Sequence, residues 1–283
     1  MQLKYIIFTG IVVFALSCQK EIKLNLPAYN SKLVVNGDMD TENPISLEVS
    51  RSIPIMQSND STGYLIKDAV VQIFENGTNI GTANYFSGKY VLAAKPKPGA
   101  SYQIKVSSGT YTPVQANLKI PKKLPVVLKF KDSIGLDAFG FKVGQISLSF
   151  TDDGSVSNYY KLLIRYYNSG TTVWFPFEIA SNDILFINND KLNDGGYMFS
   201  DRTFSGKTKN LYFDVPFGLA QGTPKFEVSI KSFDTDYNDY LRAVENYRQN
   251  GNGLSNEPVI LKTNITNGIG MVGGVSNVRD TIY

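Results

Sequence analysis

The chain has 283 residues, 42% of them hydrophobic, 19% charged and 12% aromatic, with a formal net charge of +3. It contains no histidine and a single cysteine, Cys18, which excludes Ser-His-Asp and Cys-His nucleophile systems, the usual zinc sites and an internal disulfide. Basic residues are scattered rather than gathered on an expected helix, which argues against nucleic acid; the densest run, Lys119, Lys122 and Lys123, lies among prolines and reads as an exposed linker.

Lys4 and the apolar stretch from Tyr5 to Leu16 have the length of a signal-peptide hydrophobic region and are too short to span a bilayer as a helix. Ala15-Leu16-Ser17-Cys18 resembles a lipobox, in which small residues let a peptidase close on the backbone before a cysteine that takes a diacylglycerol. Residues 1–17 are therefore expected to be a lipoprotein signal peptide, Cys18 the lipid attachment site, and residues 18–30 a solvated tether. More than one acyl chain gives stable anchoring, at about 0.8 kcal/mol per buried methylene. Gln19, Lys20 and Glu21 resemble the short charged signals that send Bacteroidetes-type lipoproteins to the outer face of the outer membrane. No second hydrophobic run approaches membrane-spanning length.

Beyond the tether the pattern is mostly β. Strands are expected over Leu33–Asn36, Ser46–Arg51, Ala69–Glu75, Lys89–Ala93, Ser101–Val106 and Thr110–Ile120. Within them Tyr102, Ile104 and Val106 alternate with Gln103 and Lys105, placing apolar side chains on one face. Asn76-Gly77 supplies a hairpin turn whose residues tolerate positive φ. Residues 31–121 thus read as an immunoglobulin-like antiparallel sandwich. The run Asp68-Ala69-Val70-Val71-Gln72-Ile73, with Asn76-Gly77 and Gly88-Lys89-Tyr90, resembles immunoglobulin-like and carboxypeptidase-regulatory-like modules.

Pro121 to Pro125 interrupts pairing and marks a boundary. From residue 126 to 283 a second β-rich domain is expected, a sandwich or open barrel, with alternation at Ile146, Leu148 and Phe150, at Leu211, Phe213 and Val215, and at Phe226, Val228 and Ile230. One helix is predicted near 237–249, with Asp236 as its N-cap, Asn250-Gly251 as its end and an apolar stripe of Tyr240, Leu241, Val244 and Tyr247. Further strands are expected over Pro258–Lys262 and Ile269–Val272.

Three groups of residues are candidates for chemistry. Asp183, Asn188, Asn189, Asp190, Asn193 and Asp194, before Gly195-Gly196, offer hard oxygen ligands of the kind calcium takes, but without EF-hand spacing; a polar loop is the competing reading. Asp152-Asp153-Gly154 offers paired carboxylates, or a turn. Trp174, Phe175 and Phe177, with Tyr159, Tyr160, Tyr166 and Tyr167, offer either an aromatic platform for sugars or a protein partner, or core packing. No catalytic residue, metal site or cofactor is assigned.

Both ends of the chain resemble one family. Asp234-Thr235-Asp236-Tyr237, Asn256-Glu257-Pro258-Val259, Asn264-Ile265, Asn267-Gly268-Ile269-Gly270 and Gly273-Gly274 resemble the C-terminal signature of the lipoprotein family called domain of unknown function 4249. Cys18-Gln19-Lys20-Glu21-Ile22, Leu24, Leu26, Pro27 and Leu33-Val34-Val35-Asn36-Gly37 are similar to its opening. The resemblance implies an outer-membrane lipoprotein often encoded near a TonB-dependent transporter, and it brings no catalytic residues. The expectation is a non-enzymatic accessory or ligand-capture subunit of such a barrel, lipid-anchored and facing the cell exterior. The alternatives are a surface adhesin or envelope spacer and, third, a carboxylate-dependent glycan hydrolase.

Overall fold

The computed structural model describes residues 29–54, 63–168, 170–179, 181, 183–187, 191–216, 225–250 and 260–283. The lipobox residues Ala15, Leu16 and Ser17, the acylation candidate Cys18 and the export signal Gln19, Lys20 and Glu21 lie outside them. Residues 31–283 form one compact unit.

The first half is built from β1 (Leu33–Asp40), β2 (Ile45–Arg51), β3 (Val70–Glu75), β4 (Thr78–Phe86), β5 (Lys89–Leu92), β6 (Ser101–Ser107) and β7 (Val114–Lys119). Alternation sets which side chains go inward. In β6 Tyr102, Ile104 and Val106 are buried while Ser101, Lys105 and Ser107 are exposed. The Asn76-Gly77 turn forms as the sequence dictates: φ is 49° at Asn76 and 83° at Gly77, and Glu75 pairs with Thr78 across a two-residue loop. Ser87-Gly88 repeats the device between β4 and β5, with φ of 47° and 88°.

Strand β4 links the two layers of this sandwich. Its residues up to Ala83 pair with β3, and Asn84 to Phe86 pair with β5. A register shift at Ile73/Phe74 leaves Ile80 of β4 as the extra residue between the Asn79 and Gly81 pairings. Leu33, Val35, Leu47, Ile73, Tyr90 and Ile104 fill the space between.

The second half comprises β8 (Val126–Leu136), β9 (Lys142–Thr151), β10 (Tyr159–Asn168), β11 (Val173–Pro176), a one-turn helix Ile184–Ile187, β12 (Tyr197–Ser200), β13 (Thr208–Pro216), β14 (Phe226–Phe233), the long helix Thr235–Asn250, β15 (Ile265–Thr266) and β16 (Val272–Ile282). A three-stranded sheet in the order β13-β9-β8 faces β10, β14 and the end of β16 across a core of Phe150, Tyr160, Leu162, Phe213 and Ile230. The other described strands form one connected sheet running through both halves, without closing into a barrel. The mostly-β sandwich expectation holds.

The halves are joined by β16. Val272 to Val275 pair parallel with Gly37 to Asp40 of β1, and Ser276 to Ile282 pair antiparallel with β14. The tail also contributes Ile265 and Val272 to the first core, while Leu124 of the Pro121–Pro125 connection enters the second. Asp40 is buried at this seam, where the Lys231 ammonium (2.7 Å) and the Asn277 amide (3.0 Å) neutralise and satisfy its carboxylate. Asn277 in turn accepts from the Ser229 hydroxyl at 3.0 Å.

Several local expectations are corrected. The helix starts at Thr235, and its cap is Asp234 rather than Asp236: the Tyr237 amide donates to Asp234 Oδ1 at 2.9 Å. Asp236 sits in the first turn and pairs with Lys262. The stripe Tyr240, Leu241, Val244 and Tyr247 is not a buried face, since Tyr247 is exposed and the other three are half-buried. The helix docks through Tyr237, whose ring lies where a Cβ on Gly273 would sit, 2.4 Å away. Of the expected strand Pro258–Lys262, residues 260–262 are not strand and the first two lie outside the described residues. The other expected tail strand, Ile269–Val272, begins only at Val272. Gly270, at φ 114°, bends the chain against Val35 before β16 starts.

Candidate functional site

The Asp152-Asp153 pair does not form a catalytic dyad. Asp152 is buried and accepts hydrogen bonds from the Tyr160 hydroxyl, from the Asn158 amide at 3.2 Å and from the Gly206 backbone at 2.7 Å. Burial, and then the Asp152 carboxylate, push the Tyr160 phenol far up. Nearby, Asp201 accepts from the Asn158 backbone at 2.9 Å. The cluster ties together the loops around 152–158 and 201–207. Asp153 faces solvent, where the Ser155 hydroxyl and then Lys122 hold its carboxyl at about 2. Below it, a cleft of about 250 Å³ lies between the Pro121–Leu124 turn and Ser155–Asn158, with Tyr160 and Phe233 in its lining. Ligand pockets run from about 300 to 1,000 Å³, so this cleft falls short of a typical one.

The oxygen-rich stretch is also committed internally. Asp183 pairs with Lys209 at 2.6 Å and caps the Leu185 amide at 3.1 Å; Asp194 pairs with Lys161 and accepts from the Gly196 backbone at 3.0 Å. Asn188, Asn189 and Asp190 lie outside the described residues. Among the described residues no three acidic side chains come together as a metal-holding group.

The aromatic candidates divide by position. Tyr160 and Phe177 are core residues, and Tyr159 lies at the other end of β10 beside Phe233. Tyr166, Tyr167, Trp174 and Phe175 are brought together by the β10–β11 hairpin, in which Tyr166 pairs with Phe175 and Tyr167 with Trp174. Alternation puts the two pairs on opposite faces. Tyr166 and Phe175 stack at 5.7 Å, with Tyr166 against the second core. Tyr167 and Trp174 meet at 5.2 Å on the other face, only partly covered.

Lys225 completes that outer face. Its ammonium lies 5.5 Å from the Tyr167 ring, 5.8 Å from Trp174 and 5.2 Å from Tyr283, each within cation–π range. Neither Lys225 nor Tyr283 is singled out by sequence reasoning, because they come to the hairpin from just before β14 and just after β16, far away in the chain. The pairings Tyr166–Phe226 and Phe226–Ile282 put this face at the far end of β16. That end is roughly 30 Å along the strand from the Gly37–Val272 pair near which the chain enters the fold. The resulting surface combines partly exposed Tyr and Trp rings, residue types enriched in binding hot spots, with one lysine.

Fold and site together define a β-sandwich protein with a distal aromatic surface. The chain belongs to the family described as Domain of unknown function (DUF4249), which matches residues 19–281. No curated protein matches the sequence. Among solved structures, a proposed carbohydrate-binding protein from Bacteroides uniformis is 15% identical, with 62% of this chain and 84% of that chain covered and a TM-score of 0.24. Fibronectin(III)-like modules from Clostridium thermocellum are 11% identical, with 73% and 87% covered and a TM-score of 0.22. Salmonella alpha-2-macroglobulin is 10% identical, with 95% of this chain but 16% of that chain covered and a TM-score of 0.21. Likeness at this level carries no functional argument.

Proposed function

We propose that the chain is a non-enzymatic outer-membrane lipoprotein, anchored through Cys18 and facing the cell exterior, which serves as an accessory or ligand-capture subunit beside a TonB-dependent transporter. The observation that carries this reading is the Tyr167, Trp174, Lys225 and Tyr283 surface, which lies at the end of the fold opposite the entry of the chain. A lipid anchor at the N-terminus holds the chain at a membrane. Confinement to the membrane plane then raises its effective concentration at a barrel in the same membrane.

The hydrolase reading needs two carboxylates facing each other across a groove, about 5–10 Å apart. The sequence's own pair has Asp152 buried among three donors and Asp153 bound to Lys122 and Ser155, so binding is favoured over bond-breaking. The spacer or adhesin reading is favoured by one feature, the continuous β16 strand that runs through both sandwiches.

Labelling intact native cells with a membrane-impermeant reagent, followed by recovery in mild detergent, tests the proposal. Surface label together with a co-purifying TonB-dependent barrel is the expected result. Protection from label with no barrel recovered overturns it in favour of an envelope component facing the periplasm.

A further inference from the structure

The tip of the β8–β9 hairpin carries an apolar cluster that neither core uses. Phe139 is 85% exposed, Leu136 69%, Phe141 52% and Ile134 40%. Phe130 packs on Phe226 at 5.9 Å, at the level of the distal end of β14, and β8 continues beyond it through residues 131–136, all of them exposed. The β8 arm beyond Phe130 and the turn up to Lys142 thus lie in solvent, while β9 is paired to β13 from Val143 onward.

The tip is a fixed turn. Asp137 Oδ1 accepts from the Phe139 and Phe141 amides, both at 2.9 Å; the Asp137 amide donates to the Phe141 carbonyl at 2.8 Å, and the Gly140 amide to the Asp137 carbonyl at 3.1 Å. Asp137 is an anion held by the backbone of the turn, and the exposed Asp132 is a second carboxylate beside Lys131. Lys131 and Lys142, both exposed, flank the apolar residues.

We infer that this tip is a membrane-inserting element, which places Phe139 and Phe141 in the headgroup and acyl boundary of a bilayer. A convex point suits lipid better than a protein partner. At about 150–250 Å² per phenylalanine, the cluster offers on the order of 500 Å², whereas a stable protein interface takes about 800 Å² from each side. A bilayer demands no complementary surface, so apolar burial alone carries the contact there. The inference draws on the membrane-directed N-terminus for proximity alone.

The experiment uses the full chain carrying Phe139→Trp and Trp174→Phe, which makes the tip the sole tryptophan. The protein is reconstituted into phosphatidylcholine and phosphatidylglycerol vesicles with brominated acyl chains and recovered by flotation. Flotation with a shift of emission to shorter wavelength and severalfold quenching is expected, and adding Phe141→Ser should weaken the quenching. Flotation with unshifted, unquenched emission overturns the tip and leaves the anchor standing; failure to float overturns both. Tryptophan that is unquenched by brominated lipid but shielded from aqueous quencher in native membranes points to a protein pocket and also overturns the inference.

Discussion

Gly273 shows how one residue of the family-like tail acts. The site is filled by the Tyr237 ring, 2.4 Å from where a Cβ would lie, so Gly273→Ala forces the helix off β16. The expected loss is about 1–3 kcal/mol, the cost of overpacking a filled site, read by urea denaturation. Gly77→Ala is the comparison: it lies at φ 83° with open space around it, so only backbone strain of about 1 kcal/mol is expected. Tyr102 gives a pH-dependent test. Burial, then its hydrogen bond to Glu75, pushes the phenol up to about 12, above its ordinary 10.0. A raised folded-state value means that the stability is fully present below pH 10 and is lost as pH rises from 10 to about 12. A loss of order 1–2 kcal/mol over that window is expected, and Tyr102→Phe should flatten it. Glu75 works at the acid end: Lys97 first, then Tyr102, hold its carboxyl below 4.5, so its contribution is present above that value and fades as pH falls. None of these pairings is legible in the sequence, because Glu75 and Tyr102 meet only through the β3–β6 register.

Among the elements, the strands and the Asn76-Gly77 hairpin are legible because they depend on local rules, period-two burial and positive φ. The helix is legible too, but its cap is not. Asp234, Thr235 and Asp236 are all acceptable N-caps, and only the geometry at Tyr237 selects the first. Asp234→Ala should therefore cost about 1 kcal/mol in thermal or denaturant unfolding, while Asp234→Asn, which keeps an acceptor, should cost a few tenths. Asp236→Ala should cost little, since its partner Lys262 is half exposed. The β10–β11 hairpin shows the same division. Its aromatic run is visible in the sequence, but which rings face outward follows from its pairing with β14.

For the molecule as a whole, the sequence suggests a boundary at Pro121–Pro125 and does not reveal that the last strand crosses it. A parallel pair between β1 and β16 joins residues more than two hundred positions apart, and no local pattern encodes that. Its consequence is mechanical and thermodynamic. With β16 paired into both halves and Asp40 bound to Lys231 and Asn277 at the seam, residues 31–283 should unfold in one transition. Calorimetry that resolves two independent transitions would contradict this.

Strand β16 ends beside the aromatic face, and the claim that this face does the binding can be tested directly. The measurement is quantitative co-purification from native membranes, comparing the native chain with a Tyr167→Ala/Trp174→Ala variant of equal abundance and membrane retention. The account predicts that a TonB-dependent barrel accompanies the native chain and falls at least tenfold in the variant, a difference of about 1.4 kcal/mol. Equal recovery with both chains would contradict it.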